Sequence, residues 1–177
     1  EYIILIDGDV ILHEKFIENH LNHAEKNFFV QGPRVLLNES ITKKIIDSQN
    51  KNISLFSRGL ANRKNAIYSA FLSKLFLTRK NVLNGIKTCN LGFYKSDCIK
   101  VNGFNNAIEG WGREDSEFVA RLINNNVCRK NIHFNTIQFH LWHQKSSREV
   151  LQKNNLILQK AINSKLNWCD NGINQYI

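Results

Sequence analysis

Three groups of residues have types and spacings suited to chemistry. The first is Asp7-Gly8-Asp9, at the end of the apolar run Tyr2-Ile3-Ile4-Leu5-Ile6. A short continuous apolar run reads as a buried strand, and open α/β sheets bind ligands beyond the C-terminal ends of their strands. Two carboxylates there are hard oxygen donors, suited to Mg²⁺ or Mn²⁺ carrying phosphates. An ordinary acidic turn explains the same residues, and this short motif alone does not decide. The second group is Gly110-Trp111-Gly112-Arg113-Glu114-Asp115-Ser116-Glu117. Acidic residues are favoured in a helical first turn by the helix dipole, which accounts for the acids but not for a Trp between two glycines. An exposed Trp offers a flat face to a sugar ring, and a carboxylate beside it can accept a hydroxyl proton as general base. The third is Phe139-His140-Leu141-Trp142-His143-Gln144. Neutral imidazole is a good Mn²⁺ ligand. In a regular strand the two histidines face opposite sides, whereas a turn beginning at Trp142 brings them together, which ranks His143 above His140.

The elements that must position these groups alternate in type. Helices are predicted over His13–Asn27, Ser40–Asn50 (capped by Asn38 or Ser40), Asn62–Leu77, Arg113–Asn125 and Arg148–Leu166, with a short one from Ser96 to Asn102-Gly103. Strands are predicted over Phe28–Val30, Asn90–Tyr94, Val127–Ile132 and Thr136–Trp142, with a turn at Gly32-Pro33. The pattern is that of an α/β or α+β layered domain. A parallel first strand buried on both faces needs neighbours on both sides, so the chain is expected to be a fragment lacking an upstream part of its domain.

The length of 177 residues suits one domain, residues 1–177, and the 42% hydrophobic content excludes global disorder. No apolar run approaches the roughly 20 residues of a membrane span, and no signal-peptide pattern opens the chain. Cys89, Cys98, Cys128 and Cys169 form no Cys-x-x-Cys pair, which argues against a zinc ribbon and for free thiols in a reducing compartment. The net charge is +9, and nine bases with no acid lie between Asp47 and Asp97. Such a stretch (51–95) suits nucleic acid, an anionic membrane surface, a polyanionic substrate or simply solvent. The apolar face over Asn62–Leu77 fits a core helix with snorkelling bases or one lying on a membrane.

Together these groups resemble inverting glycosyltransferases of the GT-A fold, in particular family 2 enzymes and the C-terminal part of β-1,4-galactosyltransferases and chondroitin-polymerase-type enzymes. Asp7-Gly8-Asp9 resembles their DxD motif. Asn102-Gly103-Phe104 with Gly110-Trp111-Gly112-Arg113-Glu114-Asp115 resembles their NGF and GWGxED block, and His143 resembles their late metal-binding histidine. The resemblance runs over roughly Tyr2 to Gln144. It implies an α/β, GT-A-type (Rossmann-like) mixed sheet flanked by helices, as an incomplete domain.

The resemblance also implies roles. Asp9 and His143 would ligate Mn²⁺ or Mg²⁺, with His140 as a further ligand. Asp7 would contact ribose or metal. Asp115 would be the catalytic base and Glu114 would orient the acceptor. Trp111, Gly112 and Glu109 would shape the substrate site. The implied activity is a hexosyltransferase-type, inverting transfer in polysaccharide biosynthesis. It would run from a nucleotide-sugar, a UDP-sugar by expectation, to a glycan or lipid-linked acceptor. The expected location is cytoplasmic, with peripheral contact at the inner membrane face through the basic 51–95 stretch and no nucleic-acid partner. The polar segment Gln144–Arg148 is a candidate closing loop. Competing readings are a metal-dependent hydrolase using Asp7, Asp9 and His143, a catalytically inactive sugar- or nucleotide-binding remnant, and a basic nucleic-acid-binding module.

Overall fold

The computed structural model of the protein describes residues 1–144 and 147–176. Two mixed sheets form its frame. The first has the order β1-β7-β3-β8-β6, and the second β2-β9-β4-β5. The strands are β1 (Tyr2–Ile6), β2 (Val10–Leu12), β3 (Phe28–Gln31), β4 (Val35–Leu37), β5 (Leu60–Ala61), β6 (Thr78–Arg79), β7 (Asn90–Tyr94), β8 (Cys128–Asn131) and β9 (Gln138–His140). The helices are α1 (Phe16–His23), α2 (Glu39–Ser48), α3 (Ala70–Leu75), α4 (Lys95–Lys100), α5 (Glu114–Asn124) and α6 (Leu151–Asn163). This mixed α/β arrangement is GT-A-like, as the resemblance implied. The sheets are joined where β1 passes through Asp7-Gly8-Asp9 into β2, and where the Gly32-Pro33 turn carries β3 into β4.

Each sheet has its own core. Phe29, Leu91 and Phe93 of the first sheet pack on Phe118, Val119 and Leu122 of α5. Val35, Leu37 and Phe139 of the second pack with Ile45 of α2. Each fully buried side chain of this kind contributes about 2 kcal/mol by leaving water. The 3.6-residue spacing of α5 puts Phe118, Val119 and Leu122 on the core side. Beside them Arg121 and Glu117 form a buried pair, with Nη2 to Oε2 at 2.7 Å and Nε to Oε1 at 2.8 Å.

Three expectations are corrected. β1 is not a parallel strand buried on both faces. It stands at the edge of its sheet and pairs antiparallel with β7, in the register Ile6↔Asn90. Its apolar run is half-buried, with Ile3 and Leu5 turned to the first core. The predicted helix over 62–77 is broken. A 3₁₀ turn spans Arg63–Ala66, Ile67 and Ser69 are extended, and only Ala70–Leu75 is α-helical. The break is held by Ser69, whose Oγ caps Leu72 N, and by Tyr68, whose ring stacks on His13 at 4.6 Å. The strand predicted over Thr136–Trp142 is only three residues long, because the chain leaves the sheet after His140.

The nine bases of 51–95 do not share one face. Arg79 pairs with Glu25 at 3.0 Å, Lys95 with Glu1 at 3.0 Å, and Lys87 lines a cleft described below. Among the described residues no helix is long and apolar enough to cross a membrane. The four cysteines are free thiols. Of the candidate closing loop Gln144–Arg148, Lys145 and Ser146 lie outside the described residues.

Candidate active site

The site begins with strand register. Antiparallel pairing of β2 with β9 sets Val10 opposite His140, and the ladder continues with Leu141 N donating to Asp9 O at 2.9 Å. Asp9 and His140 therefore become neighbours although most of the chain lies between them. After His140 the backbone turns away, held by Trp142 N donating to Thr42 Oγ1 of α2 at 2.9 Å. That path returns His143 to the same side, and the two imidazole centroids lie 5.3 Å apart. Residues 141–144 form no regular element, and this departure from the strand, rather than a defined turn at Trp142, brings the two rings together.

Asp9, His140 and His143 each offer one ligand atom, all within 4.8 Å of one another. His140 Nε2 lies 3.4 Å from Asp9 Oδ1 and 3.4 Å from Asp7 Oδ2. His143 Nε2 lies 3.4 Å from Asp9 Oδ2. The Nδ1 atoms point elsewhere, to Leu141 O for His140 and to Gln144 O for His143, both at 2.8 Å. A carbonyl can only accept, so Nδ1 carries the proton in each ring. In the neutral imidazole, Nε2 then presents a lone pair to the carboxylate oxygens. Lone pairs facing carboxylates at this distance repel unless a cation or a proton lies between them. Oxygen and nitrogen ligands about 2.1 Å from one divalent ion sit roughly 3 Å apart, close to the separations here. The donor set thus fits a hard or borderline divalent cation. His140 is buried and His143 exposed, so the group opens outward.

The acidic helix start faces the same cleft. Gly110 and Gly112 take φ values of +64° and +104°, conformations that glycine adopts without the Cβ penalty. Arg113 follows at φ +81°, held there by its Nε donating to Asn155 Oδ1 at 2.6 Å. Asn154, fully buried on α6, donates from Nδ2 to the carbonyls of both Glu109 and Gly112 at 2.9 Å. The turn so fixed exposes Trp111 and starts α5 at Glu114. Burial, and next the neighbouring Glu114 carboxylate, push the Asp115 carboxyl above the usual carboxylate range. The amides of Ser116 and Thr88 oppose the rise, the former donating to Asp115 Oδ1 at 2.7 Å. Glu114 Oε2 is buried without a partner among the described residues.

A cleft of about 540 Å³ joins these parts, lined by Asp7, Asp9, His140 and His143 on one side and Glu114 and Asp115 on the other. Trp111 and Gly112 lie on its rim, and the Arg148 guanidinium sits 5.0 Å over the Trp111 ring. Eight of the nine candidate residues read from the sequence therefore meet. Glu109 does not. It is exposed on the far side of the turn, 3.3 Å from Lys153 Nζ, and lines no part of this cleft.

Sequence reasoning missed the residues that hold the frame. Asn90, wholly buried, donates from Nδ2 to Pro33 O at 2.7 Å and Thr136 O at 2.8 Å, while Oδ1 accepts from His20 Nε2 at 2.8 Å. It ties the β3–β4 turn and the approach to β9 onto β7, beside β1. A Cβ on Gly32 would collide with the Asn90 amide, so only glycine fits that turn. Arg34 and Lys87, which also line the cleft, were missed as well. Their only local signal was basic charge.

The mixed α/β frame thus brings the Asp7-Gly8-Asp9 turn, the Gly110–Asp115 turn and the two late histidines to one cleft. Residues 72–144 match the family model described as the N-terminal domain of galactosyltransferase, a stretch that holds β7, the Gly110–Asp115 turn and both histidines. That match bears out the resemblance to GT-A-type glycosyltransferases read from the sequence. No curated protein matches the chain.

Proposed function

We propose that this chain is the catalytic part of a metal-dependent, inverting glycosyltransferase that moves a hexose from a nucleotide-sugar, a UDP-sugar by preference, to a hydroxyl of a glycan or lipid-linked acceptor. The observation that carries the reading is the meeting of Asp9, His140 and His143 on the cleft that also holds Asp115.

Asp9, His140 and His143 would hold the cation, Mn²⁺ or Mg²⁺, with Asp7 contributing to it or to the ribose. Bound there, the cation supplies positive charge to a diphosphate leaving group. Asp115 Oδ accepts the proton of the acceptor hydroxyl as that oxygen forms its bond to the anomeric carbon and the bond to diphosphate breaks on the opposite face. The single displacement inverts the configuration. The raised Asp115 pKa supports the role, because it moves the base toward the acceptor proton it must take. Glu114 orients the acceptor, and Trp111 stacks on a sugar ring at the cleft rim.

Calorimetric titration with Mn²⁺, followed by UDP into the Mn²⁺-loaded protein, tests the reading. Mn²⁺ binding should be lost in Asp9→Asn, and UDP binding should need Mn²⁺. Equal Mn²⁺ binding by both proteins, or none by the wild type, would overturn it.

A further inference from the structure

Arg34 and Lys87 are two cations of the cleft that the mechanism leaves unused; a third, Arg113, has its Nε engaged by Asn155 Oδ1 at 2.6 Å. Each of the first two is held through its backbone by a side-chain amide. Arg34 O accepts from Asn65 Nδ2 at 2.9 Å. Gln31, itself buried, accepts from Lys87 N at 3.1 Å and donates to Lys87 O at 3.0 Å. Their charged ends are far less satisfied. Among the described residues neither lies within 4.0 Å of a carboxylate. Among the described residues Arg34 Nη1 reaches only the Cys89 sulfur at 3.9 Å, and Arg34 Nε is buried with no partner. Burial, and next the charge of Arg34, hold the Lys87 ammonium below the usual lysine range, so the two cations repel each other.

The pair stands at a junction. Both side chains line the 540 Å³ cleft, and both line a recess of about 130 Å³ behind it, whose wall also includes Arg129 and His133 and no carboxylate. Arg129 is 6% exposed, and its Nε too is buried without a partner among the described residues. A guanidinium held beside an ammonium, both short of acceptors and open to one cavity, is relieved by an oxyanion between them.

We propose that Arg34 and Lys87 form an oxyanion-binding subsite at the inner end of the active cleft. The chemistry is that of a phosphoryl or carboxylate group. It has two sources, the diphosphate of a donor and an acidic group on an acceptor saccharide. Naming those sources rests on the glycosyltransferase reading, whereas the subsite itself does not.

The test is calorimetric titration of the full chain in EDTA with inorganic pyrophosphate and, separately, with methyl glucuronide, at two salt concentrations. EDTA removes any contribution of a bound cation, so the outcome is independent of the Mn²⁺ experiment above. Arg34→Gln and Lys87→Gln should each weaken the bound anion about tenfold, with a shallower salt dependence and an unchanged melting temperature. Arg34→Lys should retain most of the affinity. Loss confined to pyrophosphate identifies the donor source, and loss confined to the glucuronide identifies the acceptor source. If Arg34→Gln does not fold, Lys87→Gln alone gives the same readout. Binding of neither anion by the wild type, or wild-type affinity for both anions in the glutamine variants, would overturn the proposal.

Discussion

His140 Nε2 lies 3.4 Å from Asp9 Oδ1, although the two residues come from opposite ends of the chain. The contact follows from β2–β9 register, since Val10 opposite His140 leaves Asp9 one step further along the same ladder. A register slip of one residue would turn His140 to the other face of the sheet. The candidate metal site is thus as rigid as the second sheet, and the exposed His143 is its adjustable member. Replacing His140 by Ala should abolish Mn²⁺ binding, while His143→Ala should weaken it by roughly tenfold or more. Titration of both variants checks the order, and a larger loss in His143→Ala would contradict it.

Asp115 should separate activity from stability. Its pKa is raised in the folded protein, so the fold binds this proton more tightly than the unfolded chain does. That contribution favours folding at pH below the ordinary carboxylate value and is lost as pH rises through the raised one. At neutral pH the charged Asp115 therefore costs stability. Asp115→Asn should lower kcat by about 10²–10⁴ with an equal or higher melting temperature at pH 7. A variant that loses stability together with activity would argue for a structural carboxylate instead.

The Glu117–Arg121 pair is expected to behave as a buried ion pair. Glu117→Ala leaves the Arg121 guanidinium fully buried without its carboxylate and should destabilise the fold by about 3–5 kcal/mol. The double change Glu117→Leu with Arg121→Met should recover most of that loss. Urea unfolding of the wild type and the two variants checks this, and a double variant no more stable than Glu117→Ala would contradict it.

His20 predicts an acid-sensitive fold. Burial is the main cause that pushes its imidazole down to about 4 from 6.5, so it is neutral in the native state. Its stabilising share is complete above pH 6.5 and is lost as pH falls from there to about 4, at a cost of about 3 kcal/mol. His23 and His133 are lowered by burial too, so the comparison must be with a variant. His20→Gln keeps an N–H donor for Asn90 and should show a shallower fall in stability over that interval. An identical pH slope would remove His20 from the account.

Trp111 should matter for binding rather than for the chemical step. One face of its ring carries Arg148, and the residue is 45% exposed at the cleft rim. Trp111→Ala should raise the KM for a saccharide acceptor by roughly 3–10-fold, with kcat little changed and with partial recovery in Trp111→Phe. A change in kcat alone would assign the ring to the turn that carries Asp115.

Much of the framework was legible because its signals are local. The 3.6-residue period of α5, the Asn38 cap of α2, whose Oδ1 accepts from Ile41 N at 3.1 Å, and the largely apolar strand β7 are written within short windows. The failures have physical causes too. The 62–77 stretch has helical spacing throughout, yet Tyr68 stacks on His13 and Ser69 N donates to Phe134 O at 2.8 Å, contacts to distant segments that leave only one short segment wound. Glu109 and Asp115 looked alike as acids near Trp111. In the structure Asp115 lines the cleft, whereas Glu109 is exposed beside Lys153.

By itself the sequence determined which groups are candidates for chemistry: two carboxylates at a strand end, a Trp in a glycine turn before an acidic helix, and two late histidines. Those are properties of residue types at short spacing. Only the tertiary structure decided that they share one cleft, that β1 runs antiparallel at a sheet edge, and that Arg34 and Lys87 meet beside them. Such pairings depend on strand register and on buried amides such as Asn90 and Asn154. They are set by hydrogen bonds between segments far apart in the chain, which no local period encodes.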